Sequence, residues 1–326
     1  MGLFIWRRVF VIFFCGMAVA GFITMLLRNP RLYNLKRSVN KRTATKGAIC
    51  FGLNYSKAKA KFRLFGCIND ANAMARLIHD VFDMPRSIVV TDAKQRMRKE
   101  SFKTHITRLA RQSHTATPDD KALFVVTYAG HGTQLKKVEP RSEDESDGKD
   151  ECFVMNEKNE VLSDDEFSYL LSLFSENTKI LLMIDCCHSA TICDLQFKYT
   201  HKSNVSDPSL VLVRQRYKIK ADVVAFAACA DHQFSREAVV GGRKRGFFSL
   251  RMDSCIRGFS IQTAYEPHGA TVLSACSVAV LHKNIVKKFT MNAVQTIAVS
   301  TSNKKTYYED GWLGDFIHES RRMNVK

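Results

Sequence analysis

Two stretches decide the fold: Ala122-Leu-Phe-Val-Val-Thr-Tyr128, which runs into Ala129-Gly130-His131-Gly132, and Ile180-Leu-Leu-Met-Ile184, which runs into Asp185-Cys186-Cys187-His188-Ser189. Both are short, continuous apolar runs rich in branched and aromatic residues, the pattern of strands covered on both faces. Amphipathic patterns over Ala71 to Phe82, Phe102 to Arg111 and Asp165 to Phe174 predict helices between such runs. Alternating strands and helices predict an α/β fold, a mainly parallel sheet flanked by helices on both faces. In open sheets of this kind ligands sit beyond the carboxyl ends of the strands. Both motifs fall there, so a histidine and a thiol are expected side by side at one sheet edge.

That pairing is the minimum equipment for nucleophilic catalysis. A free thiol has a pKa near 8.5, so about a few per cent is thiolate at pH 7, and a neighbouring imidazole changes this by taking the proton. His131 can then return a proton to a leaving amine. The tetrahedral oxyanion needs preorganised donors, and the backbone N–H groups of Gly132 and Cys187 are the natural pair. Cys186, Cys187, His188 and Cys193 do not make a zinc site, because adjacent strand cysteines cannot both face one ion and no Cys-x-x-Cys pair accompanies them.

Five motifs occur together in order: Gly66-Cys67-Ile68-Asn69-Asp70-Ala71, Gly130-His131-Gly132-Thr133-Gln134, Asp147-Gly148-Lys149-Asp150-Glu151, Ser163-Asp164-Asp165-Glu166, and Asp185-Cys186-Cys187-His188-Ser189. A weaker echo is Cys229 to Ser235. The chain resembles a metacaspase of type I, kinetoplastid-like, in the caspase-like clan of cysteine peptidases. The 56 residues from His131 to Cys187 are close to the roughly 50-residue spacing of caspase-type enzymes. The resemblance implies a caspase-like fold and a His131/Cys187 dyad, with the second cysteine of the pair as nucleophile and Cys186 turned back into the sheet. It places Cys67, Asp70 and Asp185 around the pocket for the residue before the scissile bond. The position two residues before the histidine, serine in the family, is Ala129 here, and Ala190 replaces the family's glycine.

Two carboxylates in a cleft select a cation, so cleavage is expected after arginine or lysine. Read locally, Asn69-Asp70 could equally open the following helix as a cap. Asp150, Asp164, Asp165 and Asp194 form a second acidic set, of the oxygen-rich kind that suits calcium. The resemblance implies an activating calcium ion at these positions; the bland reading is a solvated acidic loop and an N-cap at Ser163 or Asp164. The expected function is therefore a calcium-dependent cysteine endopeptidase acting on protein or peptide substrates. The alternative is a catalytically weakened caspase-fold pseudopeptidase that acts as a membrane-bound regulatory or binding protein.

Composition bounds the rest. With 326 residues, 45% hydrophobic and 25% charged, the chain can hold one sizeable α/β domain plus appendages. Ten cysteines at irregular spacing do not make a disulfide framework. The net charge of +17 is concentrated at one end: residues 1–69 hold 13 Lys and Arg and no acid, which leaves +4 for the remainder and excludes a general nucleic-acid surface. No nucleic-acid partner is expected, and the domain is expected to be monomeric. Residues 1–8 form a short leading segment, and 9–27 an uncharged apolar stretch that as a helix reaches about 28 Å, close to a bilayer's hydrocarbon thickness of roughly 30 Å. This predicts an N-terminal transmembrane helix in contact with membrane lipid. The basic linker at 28–45 predicts a single-pass protein with a cytosolic catalytic domain. Signal cleavage and release into the secretory lumen is the alternative. The peptidase domain is expected over 46–302, followed by a tail at 303–326 of unassigned role. Thr200 to Lys220 is polar and basic, a place for self-cleavage.

Overall fold

In the computed structural model the two deciding stretches are β3 (Ala122–Ala129) and β7 (Thr178–Asp185), hydrogen-bonded neighbours in one sheet. They run parallel with Ala129 opposite Asp185, and the Gly130 N–H donates to the Asp185 carbonyl at 3.2 Å. The structure describes residues 45–82, 84–136, 149–200, 208–228, 237–265, 276–289 and 297–317. All of them fall in one compact unit, Ala44–Lys326.

The sheet also contains β1 (Lys46–Gly52), β2 (Ile88–Thr91), β8 (Phe197–Thr200), β9 (Ser209–Leu212), β10 (Asp222–Ala227) and β13 (Ala298–Thr301). Its eight strands lie in the order β2-β1-β3-β7-β10-β13-β8-β9. The first five are parallel to their neighbours and the last three antiparallel. This is the mainly parallel sheet that the apolar runs predict. Every residue of β3 and β7 is buried, and alternate residues go to opposite faces as the pleat requires. Leu123, Val125, Leu181 and Met183 meet α1 (Cys67–Val81), α4 (Phe247–Tyr265) and α5 (Val278–Phe289) on one face. Phe124, Val126, Ile180 and Leu182 meet α2 (Lys99–Ser113) and α3 (Asp164–Ser172) on the other.

Two smaller sheets stand beyond the strand ends. One joins β4 (Gly132–Lys136), β5 (Lys149–Val154) and β6 (Val161–Ser163); the other is the hairpin of β11 (Glu237–Val240) and β12 (Arg243–Gly246). The hairpin turns on Gly241 and Gly242, both at positive φ, 58° and 74°, where glycine carries no steric cost.

Three expectations change. Among the described residues no helix is long and apolar enough to cross a membrane, and the stretch 9–27 lies outside them. This corrects the expected transmembrane helix, its lipid contact and the single-pass localisation. Within the segment 200–220, read from sequence only as polar and basic, Ser209–Leu212 forms an edge strand paired with β8. The tail also has structure: α6 (Lys304–Tyr308) and a 3₁₀ turn at Trp312–Phe316 pack Tyr307, Trp312, Leu313 and Phe316 into the core.

Candidate active site

His131 leaves β3 one residue after Gly130, and three aromatic residues fix it. Its N–H donates to the Tyr55 hydroxyl at 2.8 Å, and its carbonyl accepts from the Tyr128 hydroxyl at 3.0 Å and from the Val154 N–H at 3.1 Å. A side chain on Gly130 would approach the Tyr128 and Tyr55 hydroxyls to 2.7 and 2.8 Å, so glycine is required there. The imidazole lies against Tyr55 and Phe62, with ring centroids 4.7 and 4.5 Å away. Its Nε2 is 2.9 Å from the Phe62 carbonyl oxygen. A carbonyl only accepts, so Nε2 carries the proton, and Nδ1 of the neutral ring holds the lone pair available to a base. Burial lowers the imidazole pKa, with the Phe62 carbonyl pulling the other way. The ring is thus held in its neutral, proton-accepting form.

The thiols diverge after Asp185. Cys186 has no exposed surface and belongs to the core cluster with Tyr55 and Tyr128, whereas Cys187 is half-buried; neither is in a disulfide. Successive residues leaving a strand face opposite sides, which accounts for the difference. Gly132 brings the two loops into contact. A Cβ there would collide with the Cys187 carbonyl oxygen and come within 3.1 Å of the Cys186 sulfur. His131, Gly132 and Cys187, separated in sequence, therefore stand at one strand-end edge.

The acidic pair lies beside them. Helix α1 starts at Cys67 with Gly66 in the capping position, so Asp70 is in its first turn and does not cap it. Asp70 and Asp185 are buried, and both flank Gly246 at the end of β12. The Gly246 N–H donates to Asp70 Oδ2 at 2.7 Å, and a Cβ on Gly246 would collide with Asp185 Oδ2 and stand 3.1 Å from Asp70 Oδ2. Asp185 Oδ2 accepts from the Ser249 N–H at 3.0 Å and the Ser249 hydroxyl at 2.8 Å. Arg245 donates through Nε to Asp70 Oδ1 at 2.9 Å and through Nη1 to Asp253 Oδ2 at 3.2 Å. Burial and the like charge of Asp185 push the Asp70 carboxyl up to about 7, against the pull of the Gly246 N–H and Arg245. Burial beside these acids also pushes the Cys67 thiol well up. Ala129 is buried opposite Asp185. The motifs gave no sign of Tyr55, Phe62, Arg245, Gly246, Ser249 or Asp253, which reach the site from distant segments; only Tyr128 stands inside a motif.

Residues 46–196 match the metacaspase, peptidase C14 domain. Those residues are a metacaspase domain. Metacaspase-1A of Aspergillus oryzae is 28% identical over 174 residues, 52% of this chain and 40% of its own length. Metacaspase-5 of Trypanosoma brucei brucei is 26% identical over 194 residues, 56% of this chain and 37% of its own length. The chain thus matches only about two-fifths of the length of these relatives. A Geobacter sulfurreducens protein of known crystal structure shares the fold at a TM-score of 0.54 and 21% identity, over 82% of this chain and 98% of its own.

The metacaspase domain carries one more cluster. Oxygens of Asp164, Asp165 and Asp194 lie within 4.8 Å of one another, a grouping that Asp150, on β5 opposite Leu135, does not join. Asp164 and Asp194 are buried. Asp164 accepts from the Glu151 N–H at 2.9 Å and the Asp165 N–H at 2.6 Å, and Arg216 Nη1 reaches Asp165 Oδ2 at 2.5 Å. Converging carboxylates from two segments are the donor chemistry of a hard cation such as calcium. Ser163 caps α3 in a reciprocal capping box with Glu166, so the capping and metal readings of this run are compatible.

Proposed function

We propose that this metacaspase chain is a cysteine endopeptidase that cleaves protein substrates after arginine or lysine through His131 and Cys187, with calcium as its activator. The observation that carries the reading is the fixing of the His131 ring by Phe62, which leaves Nδ1 as the free base at the edge where Cys187 emerges. In this mechanism Nδ1 takes the Cys187 proton and the sulfur attacks the carbonyl carbon. The N–H groups of Gly132 and Cys187 receive the oxyanion. Collapse breaks the C–N bond, the imidazolium returns its proton to the departing amine, and a thioester remains. His131 then takes a proton from water, which attacks the thioester and releases the acid and the thiol.

Asp70 and Asp185 supply the negative charge for a basic residue before the scissile bond, and Asp164, Asp165 and Asp194 are the calcium ligands this reading uses. Calcium held there would add positive charge against buried carboxylates beyond what Arg216 provides. The test is cleavage of an arginine-ended fluorogenic peptide by the intact chain and its Cys187→Ala variant, with millimolar calcium or with chelator. Calcium-stimulated release by the parent alone supports the proposal; equal rates in both proteins overturn it.

A further inference from the structure

The acidic pair already has a cation, and that cation is the chain's own. Arg245, on β12, contacts Asp70 Oδ1 through Nε at 2.9 Å, and the neighbouring Gly246 N–H holds the other oxygen. Asp70 is only 1% exposed on its side chain and Arg245 14%, so the contact is shielded from solvent. The fork is not fully used: Nη1 reaches Asp253, while Nη2 is buried with no hydrogen-bond partner among the described residues. A guanidinium kept for structure alone is expected to satisfy its buried donors. The hairpin that carries Arg245 is fastened over the start of α1 by separate contacts. Glu237 accepts from the Phe65 and Gly66 N–H groups at 2.8 and 2.5 Å, Asn69 donates to the Lys244 carbonyl at 2.9 Å, and the Lys244 ammonium lies 4.2 Å from the Phe65 ring centroid.

We infer that Arg245 is a specificity-determining residue that occupies the cation pocket from within, so that an arginine or lysine side chain of a substrate must displace it to reach Asp70 and Asp185. The inference rests on the proposed cleavage after basic residues, but the occupancy has a consequence that binding alone reports. One carboxylate cannot give its best hydrogen bonds to two guanidinium groups at once, and each charge-assisted bond transferred from a competitor to a ligand corresponds to about tenfold in affinity. The hairpin latch at Glu237, Asn69 and Lys244 does not involve the Arg245 guanidinium, which can swing aside while β12 stays in place.

The experiment compares the intact chain with Arg245→Gln, Arg245→Lys and, as a charge control, Arg243→Gln on the exposed part of the same strand. Benzamidine, a free amidinium, is titrated by calorimetry at alkaline pH, where Asp70 stays ionised even without the pull of Arg245, and KM and kcat are measured there for arginine-ended and leucine-ended peptides. Arg245→Gln should tighten benzamidine and lower KM for the arginine peptide, each about tenfold, with kcat and the leucine peptide little changed. Lysine, a point charge without the planar fork, should fall between. Should Arg245→Gln melt at room temperature, the lysine variant carries the comparison by the same direction of change. Unchanged benzamidine binding in the Arg245 variants, or an equal gain in Arg243→Gln, overturns the inference. Absence of cleavage by every protein would sink the peptidase proposal, and the benzamidine titration would still decide the role of Arg245.

Discussion

At the scale of single residues, the site rests on which of two adjacent thiols is accessible and on the proton held by one ring nitrogen. Cys186 is sealed in the core and Cys187 is half-buried beside Gly132. Cys187→Ala should abolish peptide cleavage, while Cys186→Ala, which removes only a small buried group, should retain most of it; initial rates of the two folded variants check this, and equal loss would break the assignment. The pH profile should separate two groups. In the proposed mechanism Asp70, raised to about 7 by burial and Asp185, must be ionised to receive a basic side chain. His131, lowered by burial from its ordinary 6.5, must be neutral to take a proton. KM for an arginine peptide should therefore rise as pH falls through about 7, whereas kcat should fall only at lower pH, below the ordinary histidine range. Simultaneous loss of both would contradict the separate roles. His131, Cys187, Asp70 and Asp185 were legible because each sits in a short motif at the end of a predicted element. Phe62 and Arg245 were not, because their roles depend on a carbonyl and a guanidinium brought in by other segments, for which local sequence carries no pattern.

At the scale of elements, the first turn of α3 carries both a helix cap and part of an acidic cluster. Ser163 accepts from the Glu166 N–H at 3.2 Å, and the next two residues, Asp164 and Asp165, converge with Asp194. Ser163→Ala should cost about 1 kcal/mol, the usual loss of a helix cap, seen as a lower denaturant midpoint at unchanged slope. Asp194→Ala removes one of the three carboxylates and leaves the cap intact. Calcium at concentrations well above its dissociation constant should raise the melting temperature of the parent, since a ligand that binds only the folded state stabilises it, and this shift should vanish in Asp194→Ala. A shift preserved in the variant would remove Asp194 from the ligand set. An N-cap at Ser163 or Asp164 was readable, the structure assigning it to Ser163, and helical periodicity placed α1, α2 and α3. The start of α1 was not readable, because Gly66 offers no side-chain cap and the helix begins before Asn69-Asp70. Strand β9 was hidden by its polar and basic surroundings: its apolar run, Leu210-Val211-Leu212, is short, and all four residues of the strand are exposed at the sheet edge, so no buried face marks it out.

At the scale of the whole molecule, the sheet is closed from behind by a segment whose sequence looked like an appendage. Its charged residues are interleaved with aromatics, and only the fold shows that Tyr307, Trp312 and Phe316 go inward while Tyr308 stays exposed. The Asp222 carboxylate on β10 accepts from the Thr306 hydroxyl and from Trp312 Nε1, both at 2.6 Å, which pins the segment to a central strand. Tyr307 stacks on Tyr199 of β8 with centroids 3.6 Å apart, and its hydroxyl is 2.8 Å from His282 Nδ1 on α5. Lys179 of β7 pairs with Asp315 at 2.8 Å and lies 5.4 Å from the Trp312 ring centroid. Removing the Trp312 side chain leaves a large cavity and deprives Asp222 of a donor. Trp312→Ala should therefore cost about 3–5 kcal/mol, as burial of a large aromatic implies. Trp312→Phe should cost less, because it keeps most of the packing and loses mainly the hydrogen bond. Guanidinium unfolding of the parent and both variants measures these losses. A cost below about 1 kcal/mol for Trp312→Ala would mean that the segment 304–317 lies against the domain without stabilising it. The larger loss would make the last strand's C-terminal extension part of the folding unit, and truncation after Ser302 should then leave no cooperative transition, because β7, β8 and β10, one of which runs into the Cys186-Cys187 loop, would each lose a partner.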